Sequence, residues 1–537
     1  MVAPPGLTAS ANASRIPAVS ARSAYRLAPS LALLLAACAD DAPPAPAPDA
    51  AAPPDVATAA PPDVAPEVAL PPGLVRALTI TDVSVFQAVR VPLLADGAAV
   101  TSRALPVVAG RGAVVRVYVR PEAGFTPRGV DGELTVRRGD VGTVVRDRRS
   151  IARASRDESD GTVFQFALPA EAVGPDTRLS VRLLAPGGAD VAAGVADGAR
   201  FPAGGGEHPL RAQEDGGLDV MIVPLRWDVD GSGRLPVTDA EQIEDMRALL
   251  RAVYPVSEVR IAVHEPVAWT RGRLPSGSAD FSSMLSALRA LRIREEAPSG
   301  RYYYGMVRPT EYYDEYCEGA CTLGQGYLSA GPADRSGKVA AGVGFAGARA
   351  AETFVHELGH NHGRAHAPCG GAAGPDLAVP YRGGTIGSWG FDERRRALVR
   401  PGAYDFMGYC EPRWVSDYSY AALWERVVAV NAAPDVISLG APSASGAVAR
   451  HRVLRLGGDA APGWLDALDL PTVAAGAASL RWLDAGGAVV GRSVAQVDPL
   501  GDSDEAHALV PPPPPGAASV EVRYAGVTRR VALPPDW

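Results

Sequence analysis

The sequence predicts a multidomain protein in which an α+β domain lies between two antiparallel β-sandwiches. Three observations lead to this prediction: alternating apolar and polar runs towards both ends of the globular part, a central segment of mixed helical and strand patterns, and a histidine-rich motif within that segment. With 537 residues, 47% of them hydrophobic and 21% charged, the chain is long enough for about three globular domains. The net charge of −8 indicates no basic surface, so a nucleic-acid partner is not expected.

Residues 1–37 have the features of an export signal. Arginines precede an apolar run over residues 27–37, which is too short to cross a bilayer as a helix. The run ends in Leu-Ala-Ala-Cys, which resembles the lipobox of bacterial lipoproteins and implies that Cys38 is lipidated after cleavage. The alternative is an ordinary signal peptide in which Cys38 is incidental. The lipoprotein interpretation predicts anchoring in the cell envelope, at the outer membrane or the cell surface in preference to the inner membrane.

Residues 38–73 are rich in proline and alanine and contain almost no large apolar side chains. Such a composition cannot form a hydrophobic core, so it predicts an extended, polyproline-like tether. A tether that follows a lipidated cysteine would hold a folded domain away from the membrane. The two predictions therefore support each other.

Two segments show the short alternating runs and regular turn residues that are typical of antiparallel β-sandwiches. They are residues 74–210 and residues 434–537. Neither segment contains an evident catalytic group. A structural or accessory role is predicted for the first, whereas the sequence indicates no role for the second. His451 and His507 are isolated in the second segment, and we interpret them as surface residues.

Residues 216–431 form the α+β domain of this prediction, because strand and helix patterns alternate along them. Helices are expected over residues 239–253 and 279–292, with strands between them. A glycine-rich stretch over residues 324–345 then leads into a further helix that carries the histidine motif.

The histidine motif combines candidate metal ligands with a candidate base. His356 and His360 are four residues apart, so on a helix they project from one face and can reach the same metal ion. Glu357 lies on the flank of that face, where it can contact a metal-bound water. Gly363 is suited to end the helix, which lets His366 return as a third ligand. Three neutral nitrogens leave one position of a Zn²⁺ ion open to water, as in a catalytic site.

The full pattern, His-Glu-x-x-His-x-x-Gly-x-x-His, resembles the signature of the metzincin clan of zinc endopeptidases. Met407 corresponds to the methionine of the turn that lies beneath the metal in that clan. Tyr409 corresponds to a tyrosine that in some members reaches the metal or the oxyanion. The resemblance also implies that an edge strand, here within residues 324–345, binds an extended substrate by strand addition. Residues 384–392, 407–410 and 414–420 resemble those of the secreted mucin-cleaving metzincins and their relatives.

The resemblance implies a function and a role for each residue. His356, His360 and His366 would bind Zn²⁺, Glu357 would act as the general base, and Tyr409 would assist as an oxyanion or metal partner. The implied activity is hydrolysis of peptide bonds in extracellular proteins or glycoproteins. The hypothesis from another class is a surface adhesion or glycan-binding lipoprotein that uses the peptidase fold as a scaffold. The presence of Glu357, which a scaffold would be free to lose, favours the enzyme.

Two neighbouring features have more than one interpretation. The stretch from Asp228 to Asp239 resembles an EF-hand loop and would then bind Ca²⁺. Pro236 and the strand pattern before the loop fit that motif poorly, and a plain turn is the alternative. His362 lies about half a turn from His360 on the helix, so we expect it beside the metal and not bound to it.

The chain contains 5 cysteines, of which four remain if Cys38 is lipidated. An even number in an exported chain predicts two disulfides, with three pairings possible. The favoured pairing joins Cys369 to Cys410, which would tie the segment after the third histidine to the methionine turn. Cys317 and Cys321 then form a local pair. Because no cysteine other than Cys38 precedes Cys317, a cysteine-switch propeptide is not expected.

Overall fold

The computed structural model of the protein describes residues 73–186, 197–272, 280–319, 321–329, 331–332, 337–433, 448–457, 462–471 and 476–537. The predicted signal segment, Cys38 and nearly all of the predicted tether lie outside these residues. The described chain is rich in β-structure, which is distributed over several sheets, and has few helices. In the ranges given, no helix combines the length and the apolar character that crossing a bilayer requires.

The first ten strands form two antiparallel sheets that share a hydrophobic core. These strands are β1 (Leu78–Phe86), β2 (Arg90–Ala95), β3 (Ala98–Ala99), β4 (Ala113–Pro121), β5 (Arg128–Arg138), β6 (Val141–Ile151), β7 (Phe164–Leu168), β8 (Arg178–Leu184), β9 (Arg200–Phe201) and β10 (His208–Pro209). The sheet orders are β3-β2-β1-β4-β7 and β10-β8-β5-β6, with β9 beside β8. Alternation along each strand fills the core. In β7, for example, Phe164 and Phe166 are buried whereas Ala167 is exposed.

A mixed sheet with helices follows and carries the histidine motif. Its elements are β11 (Leu218–Trp227), α1 (Ala240–Val253), β12 (Val259–Val263), β13 (Val267–Trp269), α2 (Phe281–Arg294), β14 (Arg301–Val307), α3 (Tyr313–Tyr316), β15 (Gly324–Gly326), β16 (Val339–Val343) and α4 (Ala348–Asn361). The sheet order is β12-β11-β14-β16-β15, with β13 beside β11. All pairs are parallel except that of β15 with β16, so an antiparallel strand forms this edge. Buried residues on both faces of β14 explain its run of three tyrosines.

Local sequence signals set the ends of the helices. Asp239 caps α1 by accepting a hydrogen bond from the backbone N–H of Gln242 at 2.9 Å. Asp228 instead pairs with Arg226, so among the described residues the carboxylates between Asp228 and Asp239 form no group of three metal ligands. Helix α4 ends as the motif predicts, because Gly363 adopts a left-handed φ of 79°.

After α4 the chain forms short elements that surround the histidine motif. They are β17 (Gly390–Asp392), β18 (Ala397–Val399), β19 (Tyr404–Asp405), β20 (Arg413–Trp414) and α5 (Asp417–Ala432). Two disulfides are present, and both predicted pairings are confirmed. Cys317 bonds to Cys321 and Cys369 bonds to Cys410, with Cα–Cα distances of 5.5 and 5.7 Å.

The C-terminal strands form one continuous antiparallel order. They are β21 (Val448–Leu456), β22 (Gly463–Pro471), β23 (Ala478–Leu483), β24 (Val489–Pro499), β25 (Ala506–Val510), β26 (Ser519–Tyr524) and β27 (Val527–Ala532), in the order β22-β21-β25-β24-β23-β26-β27. Strand β24 pairs with β23 along its first part and with β25 along its last, and strands of both halves share one core. Alternation predicted the strands, but it carries no information about which strand would serve both halves.

The C-terminal sheet is joined to α2 and to Tyr327, the residue after β15, through buried polar groups. His507 is fully buried, and its ring nitrogens lie 2.6 Å from the hydroxyl of Tyr327 and 2.8 Å from that of Ser282. Beside it, Arg289 forms a buried ion pair with Asp498 at 2.8 Å. The prediction that His507 lies at the surface is therefore wrong. The same prediction is wrong for His451, the other isolated histidine of this segment, which is 3% exposed. The alternation of apolar and polar residues along a strand does not reveal which other elements pack against that strand.

We expect His507 to make the protein less stable in acid. Burial lowers the pKa of His507 well below its ordinary value of 6.5, and the charges of Arg289 and Arg455 add to this effect. Below about pH 6.5 the unfolded chain takes up a proton that the folded chain excludes, so this contribution costs about 1.4 kcal/mol per pH unit. Above that pH it vanishes. In urea unfolding at pH 7.5 and 5.5, His507→Gln should reduce the difference in unfolding free energy by about 1.4 kcal/mol.

The control for this comparison is His264→Gln, because His264 is only partly buried and pairs with Glu295 at 2.8 Å. This variant should not reduce the acid sensitivity. An unchanged pH difference in His507→Gln would show that the buried imidazole does not determine it.

Candidate metal centre

Helix α4 holds the first two histidines and the glutamate in the protein interior. His356, Glu357 and His360 are all buried, with Glu357 only 2% exposed. The sulfur of Met407 packs against Gly359 on the same helix. Apolar contacts of α4 therefore fix the position of the helix, while its polar residues His356, Glu357 and His360 converge at one point.

Each of the three motif histidines donates its Nδ1 proton to a backbone carbonyl. The acceptors are Phe406 for His356, Arg364 for His360 and Ala373 for His366, at 2.9, 2.7 and 2.5 Å. A carbonyl oxygen can only accept, so the proton must lie on Nδ1 and each Nε2 keeps a free lone pair. This is the arrangement in which imidazoles bind metal ions.

A fourth side chain, Asp502, lies at the point where the three Nε2 atoms meet. Its Oδ1 atom is 3.0 Å from Nε2 of His366 and 3.5 Å from that of His356, and its Oδ2 atom is 3.3 Å from Nε2 of His360. Sequence reasoning missed this residue, which belongs to the loop between β24 and β25 and is 136 positions from His366. No spacing rule spans that distance. The only local signal is the Gly-Asp-Ser-Asp turn itself.

These four residues fit a metal ion. Nε2 of His356 and of His360 and Oδ2 of Asp502 are buried without a hydrogen-bond partner, which is costly unless a cation satisfies them. Four ligands at zinc-like bond lengths in a tetrahedron are separated by about 3.3 Å, close to the distances that Asp502 makes. Among the described residues this is the one group whose ligand atoms could share an ion.

Two carboxyl groups in the site carry different charges. Burial, and after it the negative charge of Asp502, raises the pKa of Glu357 well above its ordinary value. Burial opposes ionisation of Asp502 too, but the three imidazoles around it hold its pKa well below its usual range. Glu357 is thus a buried carboxyl suited to hold and release a proton.

Tyr409 reaches the same group from the segment after β19. Its hydroxyl donates a hydrogen bond to Oδ1 of Asp502 at 2.6 Å and lies 3.2 Å from Nε2 of His366. Burial, and then the charge of Asp502, raises the pKa of Tyr409, so the phenol stays protonated and can donate. The side chain is nevertheless 45% exposed, which places it at the rim of the site.

His362, the residue that follows α4, lies outside the group. Its ring stacks on Tyr302 at a centroid distance of 4.6 Å and meets Tyr254 edge-on at 5.2 Å. Its Nδ1 donates to the carbonyl of Leu358, and burial lowers its pKa to about 3. His362 is therefore a neutral part of the aromatic core behind the helix.

Comparison with known families gives one match, which covers part of the chain. Residues 329–407 match the family described as Peptidase M66. The matched segment contains the three histidines, Glu357 and Met407, whereas Tyr409 and Asp502 lie beyond it. None of the curated proteins matches the chain. The family match supports a metallopeptidase family and a protein substrate, and the cluster of histidine and aspartate side chains is compatible with a metal ion.

The metal content of two variants distinguishes a histidine that binds the metal from a neighbouring histidine that does not. His360→Ala should lower bound metal from close to one ion per chain to a small fraction, because one of three convergent nitrogens is lost. His362→Ala should keep its metal although it loses about 2–4 kcal/mol of stability from the vacated aromatic core. Elemental analysis and thermal unfolding of both purified variants test this pair. Equal metal loss in the two variants would contradict the assignment of ligands.

Proposed function

We propose that the protein is a zinc-dependent endopeptidase of the metzincin type that cleaves extracellular proteins or glycoproteins. One observation carries the proposal: three imidazoles, locked by backbone carbonyls, direct their Nε2 atoms to one point beside the buried Glu357. The family match supports the peptidase activity. The extracellular location of the substrate rests on the predicted export signal and on the two disulfides.

The donor set supports zinc as the metal. Imidazole nitrogens suit a borderline-soft ion, whereas Mg²⁺ and Ca²⁺ prefer sites made of oxygen atoms. His356, His360 and His366 would hold the ion. Backbone acceptors behind each ring keep the imidazoles in position, which raises their basicity as ligands.

In this mechanism each protein group has a defined task. Zinc, when bound, lowers the pKa of a coordinated water and polarises the scissile carbonyl. Glu357 takes a proton from the attacking water and delivers it to the leaving nitrogen, a role that its raised pKa favours. The Tyr409 hydroxyl, at the rim of the site, donates a hydrogen bond to the oxyanion that develops.

The environment of α4 supports the metzincin type. Met407 lies beneath the helix, and its carbonyl accepts a hydrogen bond from the backbone N–H of Ala367 at 3.0 Å, next to the third histidine. The Cys369–Cys410 disulfide joins the same two segments. At the front, β15 is the antiparallel edge of the sheet, and an extended peptide could add to it as a further strand.

Replacement of Glu357 tests the reaction directly. Glu357→Ala should retain bound zinc and lose peptide hydrolysis by roughly 10³-fold, because the general base is removed while the ligands remain. The matched control is Glu352→Ala, a change on the same helix at a residue that pairs with Arg413 at 3.1 Å, away from the histidines. Zinc analysis and the rate of cleavage of a quenched fluorescent peptide library are the measurements. Undiminished hydrolysis by Glu357→Ala would sink the mechanism.

The proposal includes export and attachment to the cell envelope. Two disulfides support an oxidising compartment, since such bonds are rare in reducing cytosol. The lipobox-like sequence before Cys38 supports lipid attachment at that residue, and the proline-rich segment that follows supports a tethered enzyme.

Fractionation of cells tests the anchor. Wild-type protein should appear in the membrane fraction and incorporate labelled palmitate, whereas Cys38→Ser should do neither, because it lacks the thiol that accepts the lipid. Thr58→Ser, a conservative change within the proline-rich segment, serves as the control and should behave as the wild type. Membrane association that persists in Cys38→Ser would contradict lipid anchoring at this position.

A further inference from the structure

The loop between β24 and β25, residues 500–505, enters the candidate metal centre. The backbone N–H of Leu500 donates to the carbonyl of Glu505 at 3.0 Å and closes the base of the loop. Asp502 at its tip is the residue that lies among the three imidazoles. The loop is therefore a compact hairpin end whose one buried carboxylate points at the metal ligands.

The same loop occupies the free edge of β15. The backbone N–H of Gly501 donates to the carbonyl of Gly326 at 2.8 Å, and that of Leu328 donates to Pro499 at 2.9 Å. Between these bonds, Leu500 lies opposite Tyr327 in antiparallel register. An extended substrate that adds to β15 needs these same backbone groups, so the loop and a substrate cannot pair with this edge together.

Side-chain contacts fit the loop closely into the cleft. A Cβ atom on Gly501 would overlap the imidazole ring of His360, so only glycine allows the backbone to lie against that ring. The next residue but one, Ser503, accepts a hydrogen bond from the side chain of Gln325 at 2.9 Å. Residues on both sides of Asp502 are thus matched to the catalytic cleft.

Buried polar contacts hold both ends of the loop. On the β24 side, the Asp498–Arg289 ion pair is 2.8 Å long and almost fully buried. On the β25 side, His507 contacts the hydroxyls of Ser282 and Tyr327. Because groups on α2 and the residue that follows β15 fix both strands, withdrawal of the loop requires movement of the C-terminal sheet relative to the central one.

We infer that Asp502 is an intramolecular fourth ligand of the metal and that residues 499–503 occupy the substrate cleft, so the described conformation is latent. This inference rests on the proposed zinc peptidase function. A carboxylate in the fourth position excludes the water that hydrolysis needs, and the strand-like pairing of Leu500 excludes the peptide. In this inference, activation consists of withdrawing the loop from the cleft.

We call the contact between Asp502 and the metal the latch. A spectroscopic test examines the latch without relying on catalysis. All proteins are full-length and carry Glu357→Ala, which stops hydrolysis, and Co²⁺ replaces zinc as a visible probe of coordination. With Asp502 bound, the Co²⁺ absorption should not respond to added azide, because no position is open. The additional substitution Asp502→Ala should open one coordination position of Co²⁺, so that the spectrum responds to azide. The matched control is Asp504→Ala, which removes an exposed carboxylate two positions along the same loop.

Activity gives a second measurement in chains that retain Glu357. Asp502→Ala should raise kcat/KM for an extended peptide by at least about tenfold, because the competent fraction increases. Asp504→Ala should leave it within about twofold. Gly501→Ala provides an independent opening, since it keeps the carboxylate but drives the loop from the His360 ring. It should produce the same azide response and the same rise in activity.

Several outcomes would overturn the inference. If Asp502→Ala loses its metal, the aspartate is a permanent ligand and not a latch. If the Glu357→Ala protein with Asp502 intact already responds to azide, the carboxylate does not occupy the fourth position, yet loss of hydrolysis in Glu357→Ala would still support the peptidase. A chain that binds neither Co²⁺ nor zinc overturns both the latch and the proposed function.

Discussion

Three hydrogen bonds from imidazole Nδ1 groups to backbone carbonyls determine the chemistry of this protein. Without them each ring could rotate or exchange tautomers, and the three Nε2 atoms would not offer their lone pairs to one point. The carbonyls of Arg364 and Ala373 lie only 4 and 7 positions from the histidines they accept from, whereas that of Phe406 lies 50 positions from His356. The site therefore depends on the tertiary structure that brings Phe406 to the motif, although the histidines themselves lie within eleven residues of one another.

The packing of α4 against the sheet edge serves this arrangement. Asn361, at the end of the helix, donates to the carbonyls of Tyr327 and Val339 at 3.0 and 2.9 Å. These bonds tie the helix to β16 and to the residue that follows β15. Gly324 lies so close to Glu357 that a Cβ atom there would come within 2.6 Å of its Oε1. The absence of a side chain lets the carboxyl of Glu357 lie directly behind the strand on which we expect substrate to bind. Helix α4, Glu357 and the edge strand β15 thus form one closely packed unit.

The C-terminal sheet changes what this unit can do. It supplies Asp502, and with it the one ionised carboxylate in a group of buried imidazoles. The sheet is held by polar groups that are themselves buried, including the Arg289–Asp498 pair and His507. Such contacts give strong geometric definition with modest net stabilisation, because the ion pair is costly to remove from water. A surface of this kind is suited to a contact that must be specific and must also come apart.

Sequence alone determined the local features of the protein, because they depend on spacing within a few turns of chain. The interval between His356 and His360, the helix end at Gly363 and the alternation of the strands follow from backbone geometry. Both disulfide pairings were predicted correctly. The metzincin type, the export signal and the identity of the metal stay predictions.

Only the tertiary structure decided which distant residues meet. Asp502 and His507 looked like ordinary polar residues of an accessory segment, since periodicity reports which face of a strand is buried and not what covers it. For the same reason, the alternation that predicted a C-terminal sandwich did not predict its single strand order, in which β24 is shared between the two halves. Pairing across more than a hundred residues is set by the packing of whole sheets, which no local pattern records. The motif therefore identified where a metal can bind, and the folded chain decided that its own aspartate lies there.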